Sequence, residues 1–139
     1  MAVEIVLMKA GDEALLDHVA EDVFDAPIDP ARLTAYLAES SHLMVVARVH
    51  GEVVGQARAI IHRHPDEPSE LYVDNLGVTP AYRRQGIARR LMDALYDWGR
   101  GQGCVESWVG TEPDNDPAKS LYASYDADEE AIVMYVRDL

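Results

Sequence analysis

Short apolar runs rich in Val, Ile and Ala alternate along this chain with segments whose apolar residues recur every three or four positions. The first pattern marks strands and the second marks helices packed on them. Residues 3–8 predict a strand. Asp12 stands as an N-cap before Leu15, Leu16, Val19 and Val23, which predicts a helix ending near Phe24. Asp29 followed by Pro30 caps a second helix over residues 31–39. Two further runs, 43–49 and 53–61, flank His50-Gly51-Glu52 and predict an antiparallel hairpin. A polar, proline-broken loop then leads into a strand over 71–78. Ile87, Leu91, Leu95 and Trp98 line one face of a helix from about Gln85 to Gly99, closed by Gly101 and Gly103. Strands at 104–109 and 132–136 bracket a short helix behind Asp116-Pro117 that carries Ala118, Leu121 and Tyr122. The predicted order is β, α, α, β, β, β, α, β, α, β in one domain spanning 1–139, an α/β (α+β) sheet flanked by helices.

One junction interrupts this pattern with chemistry. Arg83-Arg84-Gln85-Gly86-Ile87-Ala88 follows the 71–78 strand and opens the strongest helix. Glycine there lets a ligand approach the backbone, and the first-turn N–H groups, unpaired within the helix, point outward with the positive end of its dipole. No Ser, Thr, Asp or Asn caps that helix, whereas Arg83, Arg84, Arg89 and Arg90 crowd its first turns. The missing partner reads as a phosphate.

Composition sharpens the contrast. Twelve Lys and Arg face 25 Asp and Glu, a net charge of −13, which argues against general nucleic-acid binding and favours a cationic partner. The same surplus also serves solubility in a salty cytoplasm. No apolar run reaches membrane-span length and no leader is evident, so a cytoplasmic location is expected. The single Cys104 excludes an internal disulfide. His62 and His64 alternate in a polar loop without a third ligand at a recognisable spacing, and Asp114-Asn115-Asp116 lacks the glycine and glutamate of a calcium loop. No metal is expected.

Arg83, Gly86 and Ala88 fit the Arg/Gln-x-x-Gly-x-Gly/Ala signature, and Asn115-x-x-Ala118-x-x-Leu121-Tyr122 fits a second motif, both in the order of the GNAT N-acetyltransferase superfamily, which the chain resembles. The resemblance implies the GNAT fold, with a central mixed, mostly antiparallel sheet splayed between 71–78 and 104–109. It implies acetyl-CoA as cosubstrate, its pyrophosphate on the loop of Arg83, Arg84, Gln85, Gly86, Ile87, Ala88 and Arg89. Its pantetheine arm would lie along the backbone of Leu76, Gly77 and Val78, with Asn115 nearby, and the protein would be a homodimer. Within the superfamily, Glu70-Leu71-Tyr72-Val73, Tyr82 to Ala88, Asp116-Pro117-Ala118 and Glu129-Glu130 resemble the gentamicin 3-N-acetyltransferases. Those enzymes carry an acidic residue where this chain has Asn75, and a glycine where it has Asp126.

Acetyl transfer to an amine needs a group to take the amine's proton and one to protonate the leaving thiolate. Asp74, Glu70 and Asn75 are the polar groups near the splay, but Asn75 cannot be a base. On a regular strand Asp74 and Asn75 point to opposite faces, so both reach the splay only if a bulge intervenes. Asp74 is the first choice of base, with a more distant carboxylate acting through water as the alternative. Tyr122 is the implied acid, since a phenol stays protonated at neutral pH; on helical pattern alone it reads equally as a half-buried tyrosine. The implied acceptor is a primary amine on a cationic small molecule such as an aminoglycoside, with a protein or peptide amine and a non-catalytic acyl-CoA-binding module as alternatives.

Overall fold

The computed structural model of this chain describes residues 2–139. Five strands form one sheet in chain order: β1 (Glu4–Leu7), β2 (His42–Val49), β3 (Glu52–His62), β4 (Glu70–Val78) and β5 (Glu106–Val109). All neighbours are antiparallel except β4 and β5, which are parallel. The helices are α1 (Pro30–Ala38), α2 (Ile87–Gly101) and α3 (Asp116–Ala123). Between β2 and β3 the chain turns in two residues, His50 and Gly51, at φ 50° and 78°. Two positive φ values suit the twist of a tight hairpin. Asp29 caps α1, its Oδ1 accepting from the Arg32 N–H at 2.9 Å.

Strand alternation sorts the core into two layers. Leu43, Val45, Ala57, Ala59, Leu71 and Val73 meet Ile87, Leu91, Met92 and Leu95 of α2 on one face. Met44, Val46 and Val53 meet Met8, Leu16, Val23 and Leu33 on the other, beneath α1 and residues 8–24. β4 therefore separates two differently furnished sides of the sheet.

The helix predicted behind Asp12 does not form beyond a single 3₁₀ turn, Glu13–Leu16. The Asp12 carboxylate accepts instead from the Lys9 N–H at 3.0 Å. Competition from β3 explains the difference: β4 ends opposite Gly55, so the β3 edge at Val53 is open. Residues 18–20 take that edge, with the Ala20 N–H donating to Val53 O and the Val53 N–H to His18 O, each at 2.9 Å. A helix there would leave both Val53 groups unpaired. Leu16 and Val23 are buried nonetheless, so the apolar spacing marks the inward side chains although the backbone is not helical.

The predicted strand over 132–136 is also absent. Residues 127–139 are irregular, and Ile132, Val133, Met134, Tyr135 and Val136 are 71–93% exposed. The sheet ends at β5, and none of these apolar side chains gains cover from the body of the chain. Smaller differences lie at the ends of elements: β5 begins at Glu106 rather than 104, and α3 takes Asn115 rather than Asp116 as its cap.

Gly77 fixes how the 18–24 segment sits on β4. A Cβ there would lie 2.4 Å from the Val23 carbonyl oxygen, and that same carbonyl accepts from Gln56 Nε2 at 3.1 Å. Gly77→Ala is expected to cost about 1–3 kcal/mol, as overpacking against a backbone that cannot yield does, seen as a lower midpoint in thermal denaturation. An unchanged midpoint would show that Val23 is free to move.

Half-buried tyrosines give a pH signature. Burial pushes Tyr36 up to about 12, with Arg58 opposing and Asp74 adding to the shift; burial also raises Tyr122 and Tyr125. Unfolded tyrosines titrate near pH 10, so between pH 10 and 12 the native state holds protons that the unfolded state has lost. Stability should therefore be level up to about pH 9 and fall as pH rises above about 10. Melting curves across that range, with tyrosinate absorbance followed in parallel, measure it.

Candidate active site

β4 and β5 part midway along β4. Their pairing runs from Glu70 opposite Glu106 to Val73 opposite Val109 and stops there, while β4 continues to Val78. Residues 74–78, including Leu76, Gly77 and Val78, thus have β3 on one edge and no strand on the other. Free strand backbone of this kind accepts any extended chain carrying amide groups. The splay between 71–78 and 104–109 lies where the family resemblance placed it.

A bulge sits at the mouth of the gap. Arg58 pairs with Asn75 and Ala59 with Val73, which leaves Asp74 as the extra residue. The bulge is the condition the sequence left open: it flips Asn75 onto the face opposite Val73. There the Asn75 side chain accepts from Gln56 Nε2 at 2.6 Å, a donor shared with Val23. Asp74 is exposed, and its charge is felt by Tyr36 on that same side. Asn75 is a structural tie, and Asp74 is the free carboxylate at the opening.

The loop that follows turns its backbone outward at the start of α2. Gly86 and Arg84 both take left-handed backbone, φ 79° and 62°, and no side chain caps α2 at Gly86. Alternating handedness turns successive N–H groups toward one point, and the dipole of the 15-residue α2 reinforces it. A Cβ at Gly86 would meet no protein atom within 4 Å, so the cradle opens outward, beside Ile87 and Ala88.

The basic residues there divide their work. Arg83 Nε donates to the Val78 carbonyl at 3.1 Å, tying the loop to the end of β4, and Gln85 Nε2 reaches Ala81 O at 3.4 Å. Arg89 turns toward α3, bonding Ser124 and lying 4.5 Å over the Tyr125 ring. Arg84 and Arg90 are exposed, and their side chains make no hydrogen bond with the described residues.

α3 is held beside α2 and the gap. The Tyr125 hydroxyl donates to Asp93 Oδ1 at 2.6 Å. Asp126 adopts φ 60°, the left-handed turn that a short polar side chain tolerates. The Asn115 side chain accepts from the Ala118 N–H at 3.2 Å, so it acts as the cap of α3. Tyr122 is half-buried against the layer that contains Leu76, Val109 and Tyr96. Burial, with Tyr96 adding to it, raises the Tyr122 phenol, which keeps it a proton donor throughout neutral pH.

The opposite face of the β4–β5 ladder carries groups the sequence did not assemble. Tyr72 and Trp108 stack at 4.2 Å, and Glu70 lies opposite Glu106 one step back along the pair. His64 Nε2 lies 2.5 Å from Glu70 Oε1, and His62 stacks on His64 at 4.3 Å. Glu70 is thus the third polar neighbour of the two histidines that spacing alone could not reveal, because it comes from across the strand pair. Five residues of strand, about 16 Å, separate Glu70 from Asn75. That distance removes Glu70 from direct proton transfer at the gap and makes it part of a wall.

A family model described as the acetyltransferase (GNAT) family matches residues 13–126. Among curated proteins, the N-alpha-acetyltransferase RimI of Mycobacterium tuberculosis is 42% identical over 102 residues, covering 73% of this chain and 62% of that protein. The aminoglycoside N(6')-acetyltransferase type 1 of Salmonella typhimurium is 27% identical over 107 residues, covering 73% of each. An aminoglycoside acetyltransferase from an uncultured soil metagenomic sample shares the fold, with TM-score 0.85 at 24% identity over 100% of both chains. So does AAC(6')-Iy in complex with the bisubstrate analogue CoA-S-monomethyl-acetylneamine, at TM-score 0.80 and 22% identity over 100% of this chain and 99% of that one. These relatives include 6'-acetyltransferases and a RimI protein, so the likeness is broader than the 3-N-acetyltransferases that the sequence motifs suggested. With its parted strands, left-handed glycine loop and a family match over most of its length, the chain belongs to the GNAT acetyltransferase family.

Proposed function

We propose that this protein is an acetyl-CoA-dependent N-acetyltransferase that modifies a primary amine of a multiply cationic small molecule. The observation that carries the reading is the β4 edge left open from residue 74 to 78, running into an uncapped, outward-facing N–H cradle at Gly86. An extended amide-bearing arm ending in a pyrophosphate matches that pair of features in order. The cosubstrate supplies an activated acetyl thioester. The chain orients it along β4, with a backbone N–H near Leu76 as donor to the thioester oxygen. Asp74 takes the proton of the incoming amine, and Tyr122 returns one to the departing thiolate.

The wall opposite α2 supports a cationic acceptor. Tyr72 and Trp108 present an aromatic platform, with Glu70, Glu106 and Asp74 around it, and ammonium groups favour both aromatic faces and carboxylates. The net charge of −13 acts in the same direction at long range. Aminoglycosides fit this chemistry; the motif likeness points to the 3-amino group and the Salmonella relative's name to the 6' position. A second reading, acetylation of a protein N-terminus, is favoured by the 42% identity to RimI. Thiol release measured over an aminoglycoside, polyamine and peptide panel separates these, with product analysis giving the amine modified. No turnover on any class would leave only an acyl-CoA-binding module.

Gly86→Glu is expected to abolish acetyl-CoA binding in calorimetry while the fold persists, since the new side chain brings strain and negative charge to the cradle. Unchanged affinity would overturn the assignment of the loop. Tyr122→Phe should lower kcat by roughly 10- to 10,000-fold with acetyl-CoA affinity retained, as loss of a general acid does. Equal kcat in variant and wild type would return Tyr122 to a packing role.

A further inference from the structure

Strand pairing brings together three metal-ligating side chains that no proton-transfer step uses. His62 closes β3 and lies directly opposite Glu70, the first residue of β4. His64 follows two residues on; its Nε2 stands 2.5 Å from Glu70 Oε1, and the His62 ring stacks on it at 4.3 Å. Sequence spacing offered these histidines no third ligand, and the antiparallel register supplies one. One ligand atom from each of the three residues lies within 4.8 Å of the other two. In a tetrahedral site with bonds of about 2 Å, donors sit about 3.3 Å apart. His62 is exposed, so a turn of its ring closes the set while the backbone stays in place.

The surroundings favour a cation. Glu106 pairs with Glu70 across β4 and β5, and two carboxylates at one register position repel unless a positive charge offsets them. Arg63, between the two histidines, does not fill that role. Its charge is felt instead by Cys104, which packs with the α2 layer. Pro65 and Pro68 stiffen the loop that leaves His64, so part of the ordering that a site requires is already in place.

The geometry points to a divalent transition-metal site of the zinc class, formed by His62, His64 and Glu70 where β3 gives way to β4. Two imidazoles and one carboxylate select zinc and its neighbours over calcium and magnesium, which take oxygen ligands. Three protein ligands leave a further position for water or another donor. A bound ion replaces the His64–Glu70 hydrogen bond and ties the end of β3, the loop and the start of β4 together. Nothing in this rests on acetyl transfer: the cluster lies at the start of β4, and the Gly86 cradle follows the strand's other end.

Zinc chloride titrated by calorimetry into the whole chain, stripped beforehand with a chelator, should bind at about one equivalent with micromolar affinity or tighter. Excess magnesium or calcium should not displace it. His62→Ala, His64→Ala and Glu70→Gln should each weaken zinc binding by at least about tenfold, the loss that removing even a group behind a ligand causes. Should the half-buried His64 and Glu70 variants misfold, His62→Ala still tests the point, because that ring is exposed. His18→Ala with His50→Ala removes the other exposed histidines, and Cys104→Ser removes the thiol; both should leave binding unchanged. A wild type that takes up no zinc overturns the inference. So does affinity that survives His62→Ala and Glu70→Gln, or binding lost with the His18 and His50 pair or with Cys104, which would assign the ion to those side chains.

Discussion

Backbone hydrogen-bonding capacity left unused along half of one strand is the constraint on which the rest of the architecture depends. β4 is paired on both edges as far as Val73 and on one edge from there to Val78. An unpaired strand edge within a sheet is costly unless something takes its N–H and C=O groups. The fold answers by keeping the other edge and both faces of β4 firm: β3 pairs along its length, α2 covers one face, and Val23 abuts Gly77 on the other. The gap keeps its shape because β4 is held on its other edge and on both faces.

Much of this was legible in the residues. The hairpin at His50-Gly51, the cap at Asp29, the amphipathic α2 and the glycine junction all follow from local chemistry, in which each residue's preference and the final fold agree. The splay came from the family resemblance, and the parted register bears it out. Asp126 stands where the resembled enzymes have a glycine and takes the left-handed backbone that a short polar side chain tolerates. What sequence could not supply is whatever depends on a partner far along the chain. The 18–24 segment has helical spacing, yet a free edge at Val53 offered its backbone a better set of bonds. The bulge at Asp74 arises in the register between two strands, and no single-strand pattern encodes it.

The same limit hid the furnishing of the second face. Glu106 and Trp108 lie in a four-residue strand that reads as unremarkable polar and apolar alternation. Only the parallel register sets Trp108 against Tyr72 and Glu106 against Glu70. Asn115 shows a local role beside the one its motif position suggested: its Oδ1 caps α3. A motif residue can persist for the helix that it starts, whatever else that helix presents.

The two-residue repeat of β4 has a consequence for how such a protein changes over generations. Leu71 and Val73 are buried under α2, while Glu70 and Tyr72, the intervening positions, look the other way with Glu106 and Trp108. If this face is the acceptor wall proposed above, replacements in the second set change it without touching the residues packed under α2. Recognition and scaffold are thus interleaved in one short segment yet nearly uncoupled in selection. On that reading, a lineage could change the amine it accepts by a few alternating substitutions that leave the buried positions as they are.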